Sequence, residues 1–201
     1  MTNMKAIIID TPSGVINNSN DLKISTIEKP KINDDDVLVK IEAFGVNRMD
    51  LLQAKGLYPL PPQAPKTLGV EFSGSIVEKG ENVRDFELGT DVCGLAYGGA
   101  YAQYIAVNSS MIVKKPTSIS HVQAAGIFEN YLTAHQALVT IGNIQEGQDV
   151  LIHAAASGVG LAAIQLAKFY GALVLLNLLI INSYQYLKVV MYLLQLDLMK
   201  N

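Results

Sequence analysis

The sequence has little of what marks a secreted, membrane-spanning or nucleic-acid-binding chain. It has one cysteine, Cys93, in 201 residues. No intramolecular disulfide can form, and a reducing, cytoplasmic compartment is expected. Charged residues make up 16%, the formal net charge is −3, and no block of like charges appears. A nucleic-acid surface normally needs a basic stripe, so no nucleic-acid partner is expected. No uninterrupted apolar run approaches the roughly 18–20 residues that cross a bilayer. The tail comes nearest, but Asn177, Asn182, Gln185 and Lys188 break it, and no membrane partner is expected. The start, MTNMKAIIIDTPSG, lacks a signal-peptide layout because its apolar run is too short. No internal repeat is found.

Half of the residues are hydrophobic and 16 are glycine, enough for a sizeable core and many short turns in one large or two small domains. Up to about residue 115 the chain reads as short strands between Gly and Pro. The best candidates are Lys5–Ile9, Val37–Ala43, Val70–Glu78, Asp91–Leu95 and Ala100–Val107. In VLVKIEA, Val39, Ile41 and Ala43 alternate with Lys40 and Glu42, the period of a half-buried strand. Such strands suggest a small barrel or sandwich. Tyr58–Lys66, YPLPPQAPK, carries four prolines and must be a loop.

After Pro116 helical signals appear. Ser120 and Gln123 have capping-box spacing. A helix is expected from about Asn130 to Ile141, stopped by Gly142 as its C′ residue. Then come the strand DVLIHA, a turn of small residues and the helix VGLAAIQLAKFYG, stopped by Gly171. Its apolar residues Leu161, Ile164, Leu166 and Ala167 lie near one face. Strand, turn, helix and strand open a βαβ unit. A dinucleotide turn needs small residues so that the chain reverses, the backbone approaches the pyrophosphate and the helix packs close. Ala154, Ser157, Gly158 and Gly160 supply them, although a strict G-x-G-x-x-G is absent and an ordinary tight turn reads equally well. The acid that binds a ribose about 20 residues on is missing: Leu178, Leu179 and Ile180 stand there.

Five stretches in order, GVNRMDLLQAKGLY, LGVEFSGSIVEKG, GGAYAQYIAV, ENYLTAHQAL and VLIHAAASGVGLAAIQLAK, resemble the zinc-independent quinone oxidoreductases. These are the zeta-crystallin-like branch of the medium-chain dehydrogenase/reductase superfamily, and the nearest group is the tumour-suppressor-inducible type. The resemblance covers about residues 4–175. It implies an α/β plus β fold: a GroES-like catalytic domain over 1–120, then an incomplete Rossmann-like, NADP-binding domain over 121–175. It implies NADPH as cofactor and hydride transfer to a quinone or activated enone, with an enoyl reductase as the neighbouring alternative. Zinc-using relatives place Cys where this chain has Asn47 and His where it has Val70, so no metal is expected. The matching positions put Asn47 and Asp50 in the cleft, with Asn47 reaching the acceptor carbonyl. They make Tyr58 a lid-side phenol, set Thr133 beside the nicotinamide, and bring Ala154, Ser157, Gly158 and Gly160 to the pyrophosphate. Each has a structural counterpart: Asn47 as a turn residue, Tyr58 as a packed loop aromatic, Thr133 bonded to its own helix. His121, His135 and His153 form no ligand cluster, and Cys93 reads as an inert strand residue.

From about Leu175 the sequence departs from the family pattern. Residues 176–201 contain no Gly and three charges, Lys188, Asp197 and Lys200. The change of texture fits another reading frame, or a splice or gene-model error, better than a genuine short variant. Most of the family's cofactor domain, and the sheet edge through which its members form homo-oligomers, would then be absent. The expectation is an inactive chain, or a non-catalytic fragment that binds a partner.

Overall fold

The computed structural model describes residues 3–177 except 12, 19, 20, 60 and 63. The chain divides into two compact units between Glu129 and Asn130. In the first, β1 (Asn3–Ile9) and β2 (Leu22–Glu28) form an antiparallel hairpin. β3 (Asp36–Phe44), β4 (Glu71–Lys79), β5 (Asp91–Leu95), β6 (Tyr104–Asn108) and β7 (Ile112–Lys114) make an antiparallel sheet in the order β6-β3-β4-β5-β7. Residues 101–103 join the two sheets. Ile7 N–H donates to the Tyr101 carbonyl at 2.8 Å, and Gln103 N–H donates to that of Lys5 at 3.0 Å.

The barrel closes on Val37, Val39, Phe72, Ile76, Val92, Ile105, Val107 and their neighbours. Each such apolar side chain contributes about 1.5–3 kcal/mol when fully buried. The expected alternation holds from Val39 to Ala43, while a register shift at Leu38/Val39 buries Leu38 as well. Cys93 is buried in β5. The expected strand at Ala100–Val107 is shorter, because Gly98 and Gly99 take positive φ and the chain enters β6 only at Tyr104. β2, β7 and the helix α1 (Arg48–Ala54) are further elements of this unit, as is α2 (His121–Ala124), which carries the expected capping box from Ser120 and Gln123. The four-proline stretch has no regular structure among its described residues.

α3 (Phe128–His135) leads into the second unit and continues as a π-helical turn over Gln136–Ile141. The expected stop shifts by one residue. Gly142 stays helical at φ −77°, and Asn143 takes the left-handed conformation at φ 46°, which asparagine tolerates better than most residues. β8 (Asp149–His153), α4 (Gly158–Phe169) and β9 (Leu173–Asn177) follow as a parallel strand–helix–strand unit. Gly171, at φ +74°, ends α4 as expected. The buried face of α4 is small: Gly160, Ala162, Ala163, Ile164 and Ala167 are covered, while Leu161 and Leu166 are half-buried. The readings of Leu178, Leu179, Ile180 and the rest of the tail lie outside the described residues.

Candidate active site

α1 begins where β3 runs out, and its first turn places two polar side chains on opposite errands. The Asp50 carboxylate reaches back and accepts the Asn47 N–H at 2.7 Å, one half of a capping box. The Asn47 amide turns away from the helix and donates to Glu71 Oε1 at 2.8 Å. Glu71 Oε2 accepts the backbone N–H of Glu129 at 3.0 Å, so β4 supplies a carboxylate cap to the start of α3. Tyr101 O–H donates to Asp50 Oδ2 at 2.9 Å. The contacts are tight: a Cβ on Gly45 would lie 2.1 Å from Glu71 Oε1.

Asp50 and Glu71 are 2% and 1% exposed. Burial pushes both carboxyls up. For Asp50 the Asn47 and Tyr101 hydrogen bonds oppose this only in part. For Glu71 the Asn47 and Glu129 donors oppose it and the Asp50 charge adds to it. Glu129 is raised by burial and then by the charges of Glu71 and Asp50. The Tyr101 phenol is raised by burial and by its bond to Asp50. Asp50 Oδ1 is buried with no hydrogen-bond partner among the described residues.

Beside this cluster is a pocket of roughly 520 Å³ lined by Met49, Gln53, Tyr58, Val70, Tyr97 and Glu129, among others. Of the expected substrate residues, Tyr58 lines it and is 41% exposed. Asn47 and Asp50 do not line it, and are tied to it through Glu71 and Glu129. Val70, where a zinc-using relative has His, is 2% exposed and apolar. Among the described residues no group of three His, Cys, Asp or Glu side chains could hold a metal. Gln53, Tyr97 and Glu129 are functional candidates that the sequence reading missed. Glu129 stands inside the ENYLTAHQAL stretch, but only the fold brings it against Glu71. A second pocket of roughly 450 Å³ lies along β2 and β6, and none of the expected residues lines it.

In the second unit Ser157 caps α4, its Oγ accepting Gly160 N–H at 3.0 Å. Among the described residues its own O–H has no acceptor and can donate. Gly158 and Val159 open the helix, where N–H groups have no intrahelical acceptor. Gly160 is buried and admits no Cβ, which would sit 2.6 Å from the Ala154 carbonyl oxygen. Ala154 is exposed at φ 49°, holding the turn tight. This donor set suits a phosphate. Thr133 lies exposed on α3, with no hydrogen bond from its hydroxyl to the described residues.

Residues 33–117 match the alcohol dehydrogenase GroES-like domain. The chain is 36% identical over 152 residues to a quinone oxidoreductase of Homo sapiens, covering 75% of this chain and 46% of that one. It belongs to the quinone oxidoreductase-like branch of the medium-chain dehydrogenases/reductases. Within this superfamily it is also 38% identical over 140 residues to a synaptic vesicle membrane protein VAT-1 homolog of Danio rerio, covering 70% of this chain and 29% of that one. The solved quinone oxidoreductase of Coxiella burnetii superposes with a TM-score of 0.82 at 32% identity, over 94% of this chain and 60% of that one. The CurK enoyl reductase superposes at 0.81 and 27%, over 93% and 57%. The chain thus spans less than half the length of these two sequence relatives. No helix among the described residues is long and apolar enough to cross a membrane.

Proposed function

We propose that this chain carries the substrate side and the opening of the cofactor side of an NADPH-dependent oxidoreductase that reduces quinones or activated enones without zinc. Residues 1–120 would serve the substrate and 121–175 the cofactor. The observation that carries the reading is the make-up of the pocket and its neighbouring cluster. Val70 replaces a metal-binding imidazole with an apolar wall, and the Asn47 amide is anchored on Glu71 Oε1. An apolar wall at this position favours a neutral, already electrophilic acceptor that needs no metal to polarise it.

NADPH, when bound, supplies the hydride. The chain's own residues do the rest. The Ser157 hydroxyl and the N–H groups of Gly158 and Val159 are proposed to hold the pyrophosphate, with Ala154 and Gly160 keeping the turn close. Thr133 is proposed to face the nicotinamide. The Asn47 amide is committed to Glu71 and does not line the Tyr58 pocket, so it is proposed to act on the acceptor through Glu71 and Glu129. Asp50 fixes Asn47 through its backbone N–H. Tyr58 is proposed to stack on the acceptor ring or donate to it. An enoyl reductase is the second reading, supported by the likeness to CurK. Its acceptor is an unsaturated acyl group rather than a quinone.

The test is a chimera in which this chain's matched part replaces that of the Coxiella burnetii enzyme. It is assayed for NADPH oxidation with a naphthoquinone, an enone and an unsaturated thioester. Turnover that survives a chelator supports the reading, and turnover that a chelator abolishes overturns it. The 201 residues alone are expected to bind NADPH weakly or not at all. Isothermal titration showing low-micromolar affinity would sink that expectation.

A further inference from the structure

Glu129 is the one carboxylate that lines the Tyr58 pocket among the described residues. Its backbone N–H is taken by Glu71, but no hydrogen bond from the described residues reaches its side chain. Burial, Glu71 on β4 and Asp50 on α1 all favour its neutral form. The other polar groups lining the pocket, Gln53, Tyr58 and Tyr97, are neutral, and no Lys, Arg or His lines it among the described residues. The unpartnered Asp50 Oδ1, in a side chain 2% exposed, shows a cluster with more acceptors than donors.

We infer that Glu129 is the acid of this pocket, donating a hydrogen bond, and on reduction its proton, to the carbonyl oxygen of a neutral quinone or enone. This rests on the oxidoreductase reading and deepens it. The acceptor gains a hydride with its electron pair from the dihydronicotinamide, which is oxidised. The Glu129 O–H bond breaks and an O–H bond forms on the acceptor oxygen. Glu129 is left as a carboxylate and regains a proton from water. The same geometry sets substrate class: with an apolar wall and no lining cation among the described residues, the pocket offers nothing to pair the charge of an anionic acceptor.

The test uses the 201-residue chain with ¹³C-labelled Glu carboxyls, and Glu129→Gln identifies the Glu129 signal by its loss. Its midpoint is expected above the ordinary 4.5. Binding of 1,4-naphthoquinone, followed by NMR shifts without cofactor, is expected to weaken about tenfold as pH rises through that midpoint, roughly the worth of one hydrogen bond from a neutral donor. Glu129→Gln keeps a neutral donor and is expected to bind equally at all pH. Glu129→Ala should bind weakly throughout, and benzoate should not bind. A midpoint at or below 4.5, pH-independent or absent naphthoquinone binding in the unaltered chain, or benzoate binding as tightly overturns the inference. It does so even if the chimera turns over quinone. An inactive chimera alongside pH-linked naphthoquinone binding removes the reductase reading and leaves the acid in place.

Discussion

At the scale of single residues, Glu71 decides most. It holds Asn47, caps α3 and fills the space a side chain at position 45 would need. Gly45→Ala is therefore expected to destabilise the barrel by about 1–3 kcal/mol through overpacking, read as a lower midpoint in urea. The buried carboxyls also set a pH dependence. Asp50, Glu71 and Glu129 have folded pKa values above the ordinary 3.8 and 4.5. Between those ordinary values and the raised ones, the folded chain keeps protons that the unfolded chain has released. The stability they contribute is whole below the ordinary values and is lost as pH rises through the folded ones. The urea midpoint is expected to fall as pH rises above those ordinary values. Glu71→Gln should flatten that fall, and an unchanged slope would show that Glu71 is not among the groups that cause it. The sequence made Asn47, Asp50 and Tyr58 visible, because each stands in a recognisable stretch. Glu129 is not singled out by the sequence, since its contact with Glu71 depends on a strand 58 residues away.

At the scale of elements, local chemistry was legible where it was self-contained. The Ser120–Gln123 box, the strand β3 and the stop at Gly171 were read from neighbouring residues alone. β2 and β7 were missed because LKISTIE and IVK bury few side chains and owe their strand form to partners far along the chain. α1 is short and takes its cap from a residue also read as catalytic. The π-turn after α3 moved a helix end by one residue, a shift that no spacing rule carries. Two substitutions test the second unit. Ser157→Ala removes the α4 cap and should cost about 1 kcal/mol. Gly171→Ala forces a side chain into the left-handed region and against Glu146, where its Cβ would meet Cγ at 2.9 Å. It should cost about 1–2 kcal/mol. Thermal unfolding followed by circular dichroism measures both, and no loss at Gly171 would mean that the backbone there relaxes.

At the scale of the whole molecule, the two units differ in how well they bury their apolar surface. The barrel is closed around large side chains. In the second unit Leu151 and Leu175 pair across β8 and β9 on a face shared with Leu173, and the three are 55%, 58% and 63% exposed. Such a surface on a two-stranded parallel sheet favours association. Replacing Leu173 and Leu175 with Lys is expected to reduce self-association in sedimentation across a concentration series without lowering the barrel's thermal transition. A chain that sediments as a clean monomer before any substitution would show that this face is already covered.

The lone thiol gives the barrel a built-in clock. Cys93 is buried in the middle of the sheet, and loss of solvent raises its pKa, so it is shielded and held as the unreactive thiol. With no second cysteine in the sequence, a thiol reagent gives one labelling event per molecule. Its rate at low denaturant counts openings of β5 against its neighbours. A ligand that tightens the first unit would slow that clock without any engineered reporter.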